Sequence, residues 1–177
     1  MHRSAAWYGY QHYSLRPDIV ALGKGLGNGY PVSAVAMVQN TADSLEDGPF
    51  RYAQSHQNDP LGCAIAREVI AVMREEGLVE RSNRVGTHFL DELRLLGERR
   101  CAVKEVRGKG LMIAIGWEED CEGTSATSAC RQLLERGFLV GCAPAGNPLR
   151  FYPPLTIAEE KIARSLENLD QVLQASK

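Results

Sequence analysis

The stretch PDIVALGKGLGNGYPVSAVAMV, residues 17–38, is the part of the chain that decides its fold, because it places Lys24 among four glycines and between two apolar runs. PDIVAL has the composition of a short strand, and PVSAVAMV is typical of a strand buried on both faces of a helix-covered sheet. Glycines let a flat ligand approach the backbone closely, and a partly desolvated amine becomes a nucleophile suited to Schiff-base chemistry. A surface lysine in a flexible turn is the alternative that spacing alone leaves open.

Two nucleotide-binding loops are excluded by the residues around this lysine. The Walker A loop requires a glycine where Asp18 stands and a serine or threonine where Gly25 stands. The dinucleotide motif G-x-G-x-x-G fails at Asn28, which occupies the position of its last glycine. The loop is therefore not predicted to bind a nucleotide.

The composition is that of an ordinary soluble globular protein, with 177 residues, 44% hydrophobic, 24% charged and a net charge of −2. No basic patch indicates a nucleic-acid partner, and no apolar run is long enough to span a membrane. The five cysteines are scattered and include no C-x-x-C pair. We therefore expect neither disulfides nor a metal site, and a reducing cytoplasm as the location.

The remaining pattern predicts a second half of mixed α+β structure. A helix is expected to begin after Asn58 or Asp59 and to end at Gly77, followed directly by a second helix. After these we expect a strand pair that turns at Gly108–Gly110, a helix over 125–137, two short strands around a turn within 138–154, and a last helix to about Ala175. Thr156 and Glu159 have the spacing of a capping box for that helix.

Two predicted helices carry apolar faces that we expect to be core. The positions are Leu61, Ala64, Ile65, Val69 and Val72 in the first, and Leu78, Val85, Phe89, Leu93 and Leu96 in the second. A boundary between two domains is expected near residues 77–100. Two central strands and a long helix before it cannot by themselves form a covered sheet.

Four segments together resemble the class-III pyridoxal-phosphate aminotransferases. PDIVALGKGLGNGYPVSAV resembles the cofactor-lysine segment of that family, and three further segments follow in the family's order: YAQSHQNDPLGCAIA, VRGKGLMIAI and LRFYPPLTIAEEKI. The resemblance implies an α/β fold of the fold-type-I pyridoxal-phosphate transferases. Residues 1–78 would be part of the large cofactor-binding domain, and residues 79–177 the small C-terminal α+β domain.

The same resemblance implies roles for three residues. Lys24 would hold pyridoxal 5'-phosphate as a Schiff base and move the substrate α-proton. Ser55 falls where the family has a phosphate-binding threonine that reaches the cofactor of the neighbouring subunit, which implies a homodimer with a shared active site. Arg150 matches the arginine that pairs with the substrate carboxylate, a bidentate task suited to guanidinium. Arg3, in HRSA, matches the family's Gly-Arg-Thr-Gly turn only in part and is assigned no role.

The expected function is transamination, from an amino acid or ω-amine donor to a 2-oxo acid acceptor. Two alternatives stay open: an aminomutase or racemase of the same family, and an inactive truncated fragment. The second arises because the family's carboxylate for the pyridine nitrogen and its phosphate-binding amides lie ahead of the matched segments. We therefore expect the chain to be the C-terminal portion of such an enzyme.

Overall fold

The computed structural model describes residues 3–118, 121, 125–142 and 148–174. The chain divides into two units, Tyr8–Gly77 and the combination of His2–Trp7 with Leu78–Lys177. The division after Gly77 lies next to the boundary that the sequence predicts. That residues 3–7 join the second unit was not predicted.

The first unit contains the lysine loop and few regular elements. Strands β1 (Ile19–Leu22) and β2 (Ala34–Met37) pair antiparallel, and the pair Leu22 and Ala34 closes on the glycine-rich loop. Its other elements are a 3-10 helix at Gly9–Tyr13, a 3-10 helix at Lys24–Leu26, α1 (Gln39–Asp47) and α2 (Pro60–Glu75). The sequence did not predict α1, because this polar segment has few strong helix formers and no apolar stripe.

The predicted start and end of α2 are confirmed. The Asp59 carboxylate caps the helix by accepting a 2.9 Å hydrogen bond from the backbone N–H of Gly62, and Pro60 occupies the first turn. Gly77 follows the helix with a φ of +57°, a conformation that glycine adopts without steric cost.

The burial predicted for the first unit is wrong at two elements. β2 is exposed along its length, with Val35 59% exposed, although PVSAVAMV predicts a strand buried on both faces. On α2, Leu61 and Ala64 are exposed, and the rest of the predicted core face is only half-buried. An apolar strand is buried only where other elements cover its sheet, and within the described part of this unit none covers β2.

The second unit is a four-stranded antiparallel sheet packed with three helices. Its elements are α3 (Leu78–Gly97), β3 (Val103–Lys109), β4 (Met112–Trp117), α4 (Ala126–Glu135), β5 (Gly141–Cys142), β6 (Leu149–Phe151) and α5 (Glu159–Gln174). The strands lie in the order β3-β4-β6-β5. The predicted α+β character is confirmed, while the predicted turn between the last two strands, residues 143–147, lies outside the described residues.

The core of this unit lies between the helices and one face of the sheet. The apolar stripe predicted for α3 is confirmed, because all five of its residues are buried. Ile113, Ile115 and Leu149 contribute the sheet side of this core and are at most 1% exposed. The ring of Phe89 meets Phe151 edge-on at a centroid distance of 5.3 Å, which joins α3 to β6.

Two turn and cap predictions in this unit need correction. Gly108 and Lys109 belong to β3, so the chain turns at Gly110 and Leu111 instead. Helix α5 begins at Glu159 and is not capped by Thr156 and Glu159 as a pair. The Glu159 carboxylate instead accepts a 2.7 Å hydrogen bond from Arg84, and this guanidinium lowers the pKa of Glu159.

The expectation of no disulfide is also wrong. Cys101 and Cys121 are joined, with their Cα atoms 5.9 Å apart. Cys101 precedes β3 and Cys121 follows β4, so the hairpin that pairs Val103 with Trp117 brings them together. Their separation of 20 residues gave no signal without that pairing. Among the described residues, no helix is both long enough and apolar enough to cross a membrane.

Helix α3 packs on the β3–β4 turn at two glycines, which generates a stability prediction. A Cβ on Gly86 would lie 2.1 Å from the carbonyl carbon of Gly110, so backbone would have to move. We expect Gly86→Ala to lower the free energy of unfolding by about 3 kcal/mol. The exposed neighbour gives the control, since Thr87→Ala should change it by less than about 0.5 kcal/mol. Equal urea midpoints for the two variants would contradict this packing.

Candidate cofactor and substrate site

The lysine loop is a short, hydrogen-bonded turn that presents one amine. Lys24 opens the 3-10 helix directly after β1, and Leu26 N–H donates to the carbonyl of Gly23 at 3.2 Å. Leu26 is only 3% exposed and anchors the loop, whereas Lys24 itself is exposed. The predicted desolvation of the amine is therefore absent in this chain. What the loop provides is a fixed position for the lysine backbone.

The backbone of Lys24 is strained. Its φ is +51°, in the left-handed region where a side chain costs roughly 1–2 kcal/mol. Asn28 shares this conformation at +45°, within the same loop. Such strain persists only where the surroundings over-determine the conformation, and it clusters at functional sites.

Gly27 shows why the loop turns so sharply. A Cβ on Gly27 would lie 2.1 Å from the carbonyl oxygen of Tyr30 and 2.7 Å from a methyl group of Val32. Tyr30 N–H donates back to the Gly27 carbonyl at 2.9 Å. No side chain fits at Gly27, so this glycine has a steric reason independent of any ligand.

A shallow cavity of about 490 Å³, open to solvent, lies beside the lysine. Its lining is Lys24, Gly25, Asn28, Gly29, Tyr30, Pro31 and Val32. Within the described part of the chain, the Lys24 amine has no hydrogen-bond or ion-pair partner. A free amine at a glycine-lined cavity fits a ligand that is flat and carries a carbonyl group.

Ser55 lies in the same unit, in an exposed turn ahead of α2. Gln57 N–H donates to the carbonyl of Gln54 at 3.2 Å and closes the turn around Ser55. The Asp59 carboxylate already caps the N-terminus of α2, so a phosphate bound there would meet a like charge. Within the described residues, no hydrogen bond joins Ser55 to Lys24.

Arg150 lies in the second unit, on the middle residue of β6, between Ala114 of β4 and Gly141 of β5. Its neighbours Leu149 and Phe151 are buried toward the helices, so Arg150 projects from the other face of the sheet. A Cβ on Gly141 would lie 3.5 Å from the Cβ of Arg150, so the small neighbour leaves the stem room.

The Nε of Arg150 is a buried donor without a partner among the described residues. An unsatisfied buried donor costs roughly 1–3 kcal/mol, and more when it is charged. A carboxylate is the acceptor that a guanidinium binds most strongly and with two parallel bonds. Such an arrangement can bind an anion, and none of the described groups of the chain occupies it.

Comparison with known proteins identifies the family of this chain. The family model for class-III aminotransferases matches residues 1–173. The chain belongs to the class-III aminotransferases. This membership confirms the resemblance that was seen in four short segments.

The relatives are much longer than this chain. The acetylornithine aminotransferase of Caldanaerobacter subterraneus subsp. tengcongensis is 37% identical over 97% of this chain and 42% of its own length. The ornithine aminotransferase of Bordetella pertussis is 34% identical over 98% and 41%. The chain thus spans about two fifths of the length of the curated relatives it matches.

Solved structures give the same result. The acetylornithine aminotransferase from Elizabethkingia anophelis matches with a TM-score of 0.85 and 33% identity, over 98% of this chain and 43% of that one. A Bacillus anthracis aminotransferase matches with a TM-score of 0.88 and 27% identity, over 98% and 42%. The expected fold-type-I architecture is confirmed by these matches.

Sequence reasoning missed two arginines that the structure places beside the strand of Arg150. Arg3 Nε donates to the carbonyl of Pro153 at 3.1 Å, and Arg81 donates to the carbonyls of Leu155 and Ile157. The sequence analysis assigned Arg3 no role and did not single out Arg81. No spacing signal connects residues 70 or more positions apart.

The strained backbone of Lys24 gives a prediction that needs no ligand. We expect Lys24→Gly to be more stable than Lys24→Ala by about 1 kcal/mol, because glycine adopts the left-handed conformation without a Cβ clash. Both variants remove the amine, so each is the other's control. Denaturant unfolding of the pair measures the difference, and an alanine variant of equal or greater stability would contradict the strain.

Proposed function

We propose that Lys24 binds pyridoxal 5'-phosphate and that the enzyme of which this sequence forms part transfers an amino group from an amino acid or ω-amine to a 2-oxo acid. The observation that carries the proposal is the amine of Lys24, which has no partner among the described residues and belongs to a strained glycine-rich loop beside a cavity. Membership in the class-III aminotransferases supports it.

Each residue has a separate task in this proposal. Pyridoxal phosphate, when bound, supplies an electron sink that stabilises negative charge on the substrate carbon. Lys24 holds the cofactor through its amine and, when free, is the base that moves the proton of the substrate α-carbon. Arg150 binds the substrate carboxylate, which would satisfy its buried Nε.

Ser55 binds the cofactor phosphate of the neighbouring subunit, so the proposal includes a homodimer with a shared active site. Ser55 is exposed, which supports a contact with the neighbouring subunit. Because the Asp59 carboxylate caps α2, the N-terminus of this helix attracts a phosphate less than an uncapped one would.

The donor and the location complete the proposal. Relatives named acetylornithine and ornithine aminotransferases favour a donor of the ornithine type. We place the enzyme in the cytoplasm, supported by Cys63 and Cys130, which form no disulfide. The Cys101–Cys121 disulfide argues against that location, since such bonds are rare in reducing compartments.

One alternative has a specific observation in its favour. The exposed faces of β2, with Val35 59% exposed, favour a chain that by itself does not hold the cofactor. Exposed apolar strands also promote association, so the oligomeric state should be measured with each binding experiment.

The proposal is tested by trapping the cofactor. We expect the purified chain, titrated with pyridoxal phosphate and reduced with borohydride, to carry the label on the peptide that contains Lys24. Lys24→Ala should lose this label, whereas Lys109→Ala, at an exposed lysine of β3, should keep it. Labels spread over many lysines and equal in all three proteins would contradict the proposal and support the inactive alternative.

The role of Ser55 gives a second prediction. We expect Ser55→Ala to weaken pyridoxal phosphate binding about tenfold, because a hydrogen bond to a charged phosphate is lost. Ser55→Thr keeps the hydroxyl and is the matched control, expected within about twofold of the unchanged chain. The Kd is measured by the change in visible absorbance. Equal affinities for the alanine and threonine variants would rule out the phosphate contact.

A further inference from the structure

The pairing of β4 with β6 stops two residues before a proline. The last described pair is Ile113 with Phe151, and in this register Met112 would face Tyr152 and Leu111 would face Pro153. Proline has no N–H and cannot continue the ladder as a donor. The strand of Arg150 ends at Phe151, one residue beyond the arginine.

Arg3 forms hydrogen bonds with both Leu111 and Pro153, where the ladder between the two strands is not continued. Its backbone carbonyl accepts from Leu111 N–H at 2.7 Å, and its Nε donates to the Pro153 carbonyl at 3.1 Å. One residue thus joins the end of β6 to the start of β4, as a further rung of the ladder would.

Arg3 is itself held in a site built for its backbone. The hydroxyl of Ser82, fully buried on α3, donates to the Arg3 carbonyl at 3.0 Å. A Cβ on Gly110 would lie 2.4 Å from the same carbonyl oxygen. Because Gly110 has no Cβ, the Arg3 backbone can approach the turn closely. Backbone contacts therefore fix the position of Arg3 in addition to its charge.

Arg81 forms hydrogen bonds with backbone carbonyls that follow Pro153 in the chain. From α3 its guanidinium donates to the carbonyls of Leu155 and Ile157, whose side chains pack against the core. Together the two arginines hold the carbonyls of residues 153, 155 and 157, directly after β6. Because an arginine offers several donors in a rigid fork, such contacts fix orientation as well as distance.

We propose that Arg3 and Arg81 are positioning residues that fix the Arg150 guanidinium. The inference rests on the proposed role of Arg150 in binding a carboxylate. No described residue bonds to the buried Nε of Arg150, so the orientation of this side chain depends on the backbone of β6. That strand is only three residues long. The hydrogen bonds of Arg3 and Arg81 to residues 153–157 fix the chain at the end of the strand that follows Arg150.

The proposal is tested by NMR of arginine Nε–Hε groups in the full chain, with the Arg150 signal assigned through Arg150→Lys. We expect a high heteronuclear NOE for Arg150 in the unchanged chain and a clear fall in Arg81→Gln and Arg3→Gln. Arg84→Gln is the matched control: it lies on the same helix but bonds Glu159 at the surface, and should leave the NOE of Arg150 unchanged. Arg81→Lys, which keeps one donor, should give an intermediate value.

A titration with pyruvate, a small 2-oxo acid, separates this inference from the proposed function. We expect the Arg150 signal to shift saturably in the unchanged chain, with a Kd about tenfold higher in Arg81→Gln, because misplacement of a binding group by a fraction of an ångström has effects of this size. No shift in the unchanged chain would overturn the carboxylate role of Arg150. An unchanged NOE in the folded Arg3→Gln and Arg81→Lys variants would overturn the positioning role, whatever pyruvate does.

Discussion

The antiparallel pairing of β4 with β6 is the interaction on which the second unit depends. It joins strands that are far apart in sequence, Ile113–Ile115 with Leu149–Phe151, and it assigns the two faces of the sheet. Because side chains alternate, burial of Leu149 and Phe151 against the helices forces Arg150 onto the other face. The same pairing that builds the core thus places Arg150, the candidate for binding a carboxylate, on the opposite face. A shift of the register by one residue would bury this arginine.

The lysine loop depends on a different constraint, the close approach of backbone to backbone. Gly27 accommodates the Tyr30 carbonyl where no Cβ fits, and the buried Leu26 anchors the turn. The cost appears at Lys24, which adopts a left-handed conformation although it is not glycine. A lysine retained where glycine would be less strained is best explained by a need for its amine.

Much of this architecture was predictable from local patterns. The stripe on α3, the cap at Asp59 and the β3–β4 hairpin all follow from periodicity and capping rules that act within about 20 residues. The errors have a common origin. Three features were mispredicted: the exposure of β2, the exposure of Leu61 and the Cys101–Cys121 bond. Each depends on which elements are neighbours in space, and periodicity carries no information about such neighbours.

The sequence by itself determined the family and the identity of the candidate residues Lys24, Ser55 and Arg150, because the order of four motifs is a property of the chain. Only the tertiary structure decided the state of each residue: the lysine is exposed and strained, the serine lies ahead of a helix end capped by Asp59, and the Nε of Arg150 is buried without a partner among the described residues. It alone connected Arg3 and Arg81 to the segment after β6. The physical reason is that hydrogen bonds and steric contacts form between atoms near in space, and here they join residues 70 or more positions apart along the chain.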